Sequence, residues 1–592
     1  MVFQDFDLLS ERRRAERQRK FRKRIVIVVV STLVLLLLVA AGVFAVVYNN
    51  KPNAGSDKAA PQTQKQQAPK EVSHVQKVIK VVCNGTSYKE TCHSTLEKAA
   101  TKNPSLAQPK EILKSVILAA DDEVEKAFSK ASAFKFDKPE EKAAFEDCKK
   151  LIDDAKEELK SSFAHADGDI KKLHTKAPEL KNWLSAVMSY QQTCIDGFPE
   201  GKMKSDLQKA FKATKELTSN SLAMVSEFSS VLTSFLEGTT RHLLEDELST
   251  PSIGSDGLPT WMSHDDRRVL KGANTEKPTP NVTVAKDGSG NFTTISAALA
   301  AMPAKYTGRY VIYVKQGVYD ETVTVDKKKE NVTMYGDGSQ KTIVTGSKNF
   351  VDGVRTFQTA TFVALGEGFL AKAMGFRNTA GPEKHQAVAV RVQADRSVFL
   401  NCRFEGYQDT LYAQTHRQFY KSCVISGTVD FIFGDAAAIF QNCLIIVRKP
   451  LDNQQNIVTA QGRIDKFEST GIVLQNCKIQ ADNALVPAKT TIKSYLGRPW
   501  KEYSRTIIME STIDDLIHPD GFLPWEGDFA LKTLYYAEFN NKGPGAKTTA
   551  RVKWPGYKVI NRQEALEYTV GPFLQGDWVS ATGAPVKLGL FT

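Results

Sequence analysis

Between residues 77 and 236 the apolar positions recur at intervals of three and four. One set is Phe145, Cys148, Ile152, Ala155, Leu159 and Phe163. Another is Leu207, Phe211, Thr214, Leu217, Leu222, Val225, Phe228 and Leu232. Such spacing gives each segment one apolar stripe and predicts a bundle of amphipathic helices. From about residue 281 the pattern changes. Short β-branched runs, "YVIYVKQGVY" (310–319), "NVTMYGDG" (331–338) and "KTIVTG" (341–346), are closed by Gly or Asp and predict strands.

A repeat runs through the strand-rich half. "FLNCRFEG" (399–406), "FYKSCVISG" (419–427), "FQNCLIIV" (440–447) and "LQNCKIQA" (474–481) each place a Cys two residues before an apolar one. Cys402, Cys423 and Cys443 are 21 and 20 residues apart, and Cys477 follows after 34, as if one coil carried a longer loop. A period of this length in β sequence signals a parallel solenoid, whose coils stack because one coil alone buries too little. Equivalent positions on neighbouring coils then lie about 4.8 Å apart. Cys402 and Cys423 fall within disulfide reach on that basis, and a free, buried thiol ladder fits equally well.

The same register brings chemistry together. Asp430, in the apolar run "GTVDFIFGDA", lies 21 residues after Asp409, and Gln408 lies 22 after Gln386. Two carboxylates and two carboxamides are expected within a few ångströms. Close carboxylates cannot both ionise cheaply, so one keeps its proton as an acid and the other is free to attack. The carboxamide NH2 groups suit an oxyanion. The set fits acyl transfer or ester hydrolysis, and it offers no cluster with metal-ligand spacing. Each residue also has a plainer reading: Asp409 as a turn former, Gln386 as a satisfied solenoid polar group. His385 and His416 read as structural or surface groups. No G-x-S-x-G is present, against a serine hydrolase.

Charge and the N-terminal half set the context. The chain has 592 residues and a net charge of +12. Residues 271–592 carry 38 Lys/Arg against 30 Asp/Glu, so the strand-rich half is itself basic and suits a polyanion, nucleic acid or acidic polysaccharide. Residues 1–24 hold nine Lys/Arg against four acids, and 25–48 carry no charge. That pair predicts a cytosolic basic segment and a transmembrane signal-anchor helix, with the remainder lumenal. Four sequons, at Asn84, Asn281, Asn291 and Asn331, and all eight cysteines fall on the lumenal side. Residues 49–76 read as a flexible linker. Cys83, Cys92, Cys148 and Cys194 lie in the helical region and allow three pairings, of which Cys83–Cys92 with Cys148–Cys194 would staple a small bundle. Residues 237–273 read as a second linker. It holds two basic-apolar tetrads, Arg241 to Leu244 ("RHLL") and Arg267, Arg268 to Leu270 ("RRVL"), as candidate processing sites.

At "NTAGPEKHQAVAVRV", "GYQDTLY", "RQFY", "GTVDFIFG", "YLGRPW" and "TLYYAEFNNKGPGA" the strand-rich half resembles plant pectin methylesterases. At "CNGTSYKETC", "FEDCKKLIDDAKEEL" and "NWLSAVMSYQQTCIDGF" the helical region is similar to their inhibitor domain, as in the long precursor form of the family. The tetrads resemble the family's processing motifs, the second more closely by position. The resemblance implies a multidomain chain. An all-α up-and-down bundle (77–236) would precede a catalytic all-β right-handed parallel β-helix (274–592).

It also implies roles. Asp430 would be the nucleophile, Gln386 and Gln408 the oxyanion holders, and Asp409 the acid and then the base. Arg498 would keep Asp430 ionised, Trp500 would stack on the sugar, and Thr356 and Phe431 would line the cleft. Two positions depart from the family pattern: Phe522, where Trp is common, and Gly375, where some members carry Cys.

The implied activity is demethylesterification of pectin in the cell wall (EC 3.1.1.11 type) without metal or organic cofactor. The bundle would serve as an autoinhibitory pro-region. Implied partners are pectin, a processing protease, inhibitor proteins, and the membrane through 25–48 before processing, with no nucleic acid. The implied course is through the secretory pathway as a membrane-anchored precursor, ending as a mature enzyme in the cell wall. Two alternatives stand beside this. Another pectin-degrading β-helix enzyme would want a Ca²⁺ cluster of acids or two acids flanking a glycosidic bond. A non-enzymatic pectin-binding or inhibitor protein would have no need of the full Gln386/Gln408/Asp409/Asp430/Arg498 set.

Overall fold

A computed structural model describes residues 68–136, 138–167, 173–239 and 278–592. The basic segment, the 25–48 anchor and both tetrads lie outside the described residues. Among the described residues no helix is long and apolar enough to cross a membrane. The chain from Lys70 to Thr592 forms one compact unit holding the bundle and the solenoid.

Among the described residues, seven helices build the bundle: α1 (Ala68–Asn84), α2 (Lys89–Ala100), α3 (Pro109–Ser132), α4 (Pro139–Ala166), α5 (Leu173–Asp196), α6 (Lys202–Ala210) and α7 (Lys212–Thr239). Helices α3, α4, α5 and α7 close a ring of contacts around one core. α3 and α4 each begin on a proline, whose fixed φ and missing N–H suit a first helical turn. α1 starts inside the stretch read as linker. Val75 and Val78 pack on the bundle core, so the helical pattern reaches back past residue 77. Disulfides join Cys83 to Cys92, tying α1 to α2, and Cys148 to Cys194, tying α4 to α5.

The strand-rich half coils into three parallel sheets of 11, 7 and 8 strands. Seven successive coils each contribute a strand to all three sheets, the end coils contribute to fewer, and neighbours in a sheet come from successive coils. In the seven-stranded sheet, Val390 pairs with Leu411, Leu411 with Ile432, and Ile432 with Thr459. In the eleven-stranded sheet, Leu400 pairs with Lys421, Lys421 with Gln441, and Gln441 with Gln475, the longer third step holding the extra loop.

The residue before each repeat Cys has a left-handed backbone: Asn401, Ser422, Asn442 and Asn476 have φ of 53°, 51°, 57° and 52°. This conformation turns the chain between two sheets, and Asn adopts it more readily than most residues. The following Cys then faces the interior. Cys402 and Cys423, offered above as a disulfide, are free thiols, as are Cys443 and Cys477. Each Sγ instead lies against backbone carbonyls of its own and the preceding coil, Cys402 on Leu400 and Ala371, Cys423 on Lys421 and Phe399. Ser511 extends the ladder one coil further with the same two-carbonyl pattern. Beside it, Phe399, Tyr420 and Phe440 stack at centroid separations of 5.1 and 4.4 Å, fixing coil register through the core.

Candidate active site

The seven-stranded sheet carries the acids at the point where each coil enters it. Asp409 and Asp430 both have left-handed backbones, φ 63° and 51°, just before the strands Leu411–Ala413 and Ile432–Gly434. The Asp409 amide donates to the Val429 carbonyl at 3.0 Å, which locks the two turns side by side. Arg498 follows the strand Ser494–Gly497, two coils beyond Asp430. Its Nε and Nη2 donate to the two Asp430 carboxylate oxygens at 2.8 and 2.5 Å. The guanidinium also lies 4.3 Å from the Trp525 ring centre.

Asp430 is 5% exposed and Asp409 8%, so water does little for either charge. Burial raises the Asp430 carboxyl above its ordinary range, and the Arg498 hydrogen bonds and charge pull it back. Burial pushes Asp409 well above that range; the Asp430 charge adds to this, and Arg498 offsets it only through space. Asp430 therefore loses its proton first, and Asp409 keeps its own to higher pH.

Gln386, Gln408, Asp409, Asp430, Arg498, Thr356 and Trp500 line one cavity of about 780 Å³. Tyr412 and Phe433 stack at 4.3 Å along its wall, and Trp500 meets Phe433 edge-on at 5.9 Å. Trp500 rests on Gly462, where a Cβ would come within 2.8 Å of the indole. Phe431 requires correction. It is fully buried in the solenoid interior, because the turn at Asp430 sends the acid outward and the next side chain inward. Phe433, two residues on, is the aromatic that faces the cavity. Phe522 also sits inside, packed on Tyr536, while Trp525 lines the cavity. At Gly375 a Cβ would lie 2.3 Å from the Ser339 carbonyl oxygen, so this coil leaves no room for a Cys there.

The cavity has a second wall that sequence reasoning missed: the bundle. Asp147, Leu151, Thr193, Asp196 and Phe198 share its lining with the solenoid residues. Asp147 accepts from Arg355 and from Gln358 Nε2, and Asp196 accepts from Lys501 Nζ at 2.8 Å. Thr193 and Tyr412 hydroxyls meet at 3.4 Å. Beyond the cavity, Arg417 donates to both Glu179 oxygens, at 2.9 and 2.8 Å, and Lys327 pairs with Asp154 and Glu157. His416, read above as structural or surface, is buried between Tyr190 (3.1 Å) and Glu158 (3.4 Å) of the bundle. Ile464 of the solenoid is buried among the bundle's own core residues. Across these contacts the bundle supplies acids and the solenoid cations, so the bundle meets the basic half as a polyanion would. One signal for this was present. Asp147, Asp154 and Glu158 are spaced by seven and four, which sets all three on one face of α4.

The comparisons with known proteins agree with this arrangement. Residues 281–577 match the pectinesterase family model, and 77–224 match that of the plant invertase/pectin methylesterase inhibitor. The chain is 55% identical over its whole length to pectinesterase/pectinesterase inhibitor 45 of Arabidopsis thaliana, with all of both chains covered. It is 43% identical to pectinesterase 1 of Citrus sinensis, over 87% of this chain and 88% of that one. A solved pectin methylesterase from carrot superposes with a TM-score of 0.53 at 52% identity, covering 53% of this chain and all of its own. The chain belongs to the pectinesterase family, as a catalytic β-solenoid preceded by an inhibitor-type helical domain.

Proposed function

We propose that the solenoid hydrolyses methyl esters of galacturonan, with Asp430 as nucleophile and Asp409 as proton carrier. One observation carries the reading: an Arg498-held carboxylate beside a proton-retaining carboxyl, at the base of a cavity lined with aromatic rings. The ionised Asp430 oxygen attacks the ester carbonyl carbon. Gln386 and Gln408 amides donate to the tetrahedral oxyanion. As that intermediate collapses, the carbon–methoxy bond breaks and Asp409 gives its proton to the departing oxygen, releasing methanol. The remaining anhydride links substrate acyl carbon to Asp430. Asp409, now a carboxylate, takes a proton from water as the water attacks this carbon. Asp430 leaves ionised, the sugar carboxylic acid is released, and Asp409 is again protonated. Trp500 and Phe433 offer apolar faces to the sugar rings.

In the same reading the bundle is an autoinhibitory pro-region, since it walls the catalytic cavity from within the same chain. The right-handed coil, the 25–48 signal anchor, cleavage at a tetrad and passage to the cell wall complete the proposal, with soluble inhibitor proteins able to replace the cleaved bundle. Asn84, Asn281, Asn291 and Asn331 are all exposed, which suits glycan attachment in the secretory pathway. The test is methanol release from methyl-esterified galacturonan before and after the bundle is cut away. Release should be low in the intact chain and rise on removal. Equal rates would refute the autoinhibitory role, and no release from either form would refute the esterase chemistry.

A further inference from the structure

A second cavity, of about 450 Å³, opens where the bundle meets the solenoid, and it shares no lining residue with the catalytic one. α5 contributes Pro178, Lys181 and Asn182. The solenoid contributes Arg417 and Arg505, and the C-terminal segment contributes Tyr568 and Phe573.

The polar groups here are unevenly served. Arg417 is committed to Asp395 and Glu179. Arg505 donates Nη1 to the Thr470 carbonyl, but its Nε is buried with no partner. Asn182 is only 4% exposed, and its Nδ2 is likewise buried without an acceptor. Among the described residues neither Lys181 nor Arg505 has a carboxylate within ion-pair distance. Burial and the Arg505 charge draw the Lys181 ammonium down from its ordinary value. The acid on the cavity wall is Glu567, which is exposed. Asp435 and Glu468 act on Arg505 through space. Two cations and an unsatisfied amide donor thus converge on one space, and the missing component is an anionic acceptor. Tyr568 and Phe573, 5.9 Å apart, line the same cavity and present ring surface, which an inorganic ion does not need and a sugar ring does.

We propose that this cavity binds the carboxylate of a uronate sugar, and that its occupant bridges the bundle to the solenoid. Lys181 and Arg505 hold the carboxylate, Asn182 donates to it, and the rings pack on the pyranose. Because the ligand touches both parts, it stabilises their docked state: a sugar acid of the kind the esterase forms would tighten the inhibited chain.

The test uses the full chain, with galacturonate, galactose and inorganic phosphate at matched ionic strength. Galacturonate should raise the unfolding temperature, with neither galactose nor phosphate reproducing the rise. Lys181→Gln should weaken galacturonate binding by about tenfold or more, and Lys181→Arg should retain it. Asn182→Asp, which changes no volume, places a carboxylate in the cavity. It should raise the unfolding temperature without ligand and remove the response. Asp430→Asn, in the catalytic cavity, should leave the response intact. An equal rise with phosphate or galactose would overturn the uronate assignment. A response lost in Asp430→Asn but kept in Lys181→Gln and Asn182→Asp would place the sugar in the catalytic cavity and overturn the proposal, while the esterase reading would stand.

Discussion

Glu179→Ala should awaken the uncut chain. Glu179 receives both Nη atoms of Arg417, at 2.9 and 2.8 Å, and Arg396 at 3.3 Å. A hydrogen bond to a charged group contributes about 1.5–3 kcal/mol. Two considerations reduce the sum. Glu179 is a quarter exposed, so its carboxylate is partly hydrated when docked. Arg417 also keeps its bonds to Asp395 at 3.1 and 2.6 Å, so the substitution does not orphan a buried charge. A net loss of about 2 kcal/mol follows, which is about 30-fold in the docking equilibrium. If the cavity works only when the bundle lifts, residual methanol release by the uncut chain rises by about that factor. The assay is the initial rate of methanol release, on uncut chain and on enzyme freed of its bundle. The two freed enzymes should be equal. Glu123→Ala, which removes an exposed pair with Lys126, should change neither rate. An uncut Glu179→Ala chain as quiet as the parent would refute the docking energetics. So would a rise that persists in the freed enzyme.

Further outcomes follow from the charges. Arg498→Met removes the group that lowers the Asp430 pKa, so the acid limb of the pH–rate profile should move to higher pH as well as the rate falling; an unmoved limb would contradict the pairing. Asp409 has a folded pKa raised by burial, so its contribution to stability is greatest below the unfolded value and is lost as pH rises through the folded one. Asp409→Asn should accordingly melt higher than the parent at neutral pH while losing methanol release, and a lower melting temperature would contradict that sign. At His416, burial lowers the pKa, but Glu158, with help from Asp395 and against Lys327, raises it overall in the docked chain. Undocking withdraws Glu158, so docking is favoured at low pH and weakens as pH rises through the docked His416 value. Residual activity of the uncut chain should climb over that window, and His416→Gln should flatten the climb.

The parts of the molecule that depend on a period could be read from its sequence. The 21-residue interval sets Leu411 beside Ile432, and so Asp409 beside Asp430, because parallel coils repeat at a fixed rise. The three-and-four spacing of 145–163 gave the inward stripe of α4. What depends on local turns or on another surface was harder to see. Alternation alone sets Phe431 opposite Asp430, but the corner made by the left-handed Asp430 turns both Phe431 and Ile432 inward, so that Phe433 is the ring that reaches the cavity. The cysteine spacing suited a disulfide and a thiol ladder alike, and the choice lies in how each Sγ meets the backbone carbonyls around it. α1 overran its linker because Val75 and Val78 find a core that no local window contains. His416 read only as a structural or surface group since its partners, Glu158 and Tyr190, are more than 200 residues away.

The most direct test is methanol release by bundle-free enzyme carrying Asp430→Asn. That change keeps the size of the side chain while removing both its negative charge and its ability to form the anhydride. Release should fall by about a thousandfold or more, with the solenoid still folded and the galacturonan chain length unchanged. Methanol release at the parent rate from a folded Asp430→Asn enzyme would contradict the assignment of Asp430 as the nucleophile.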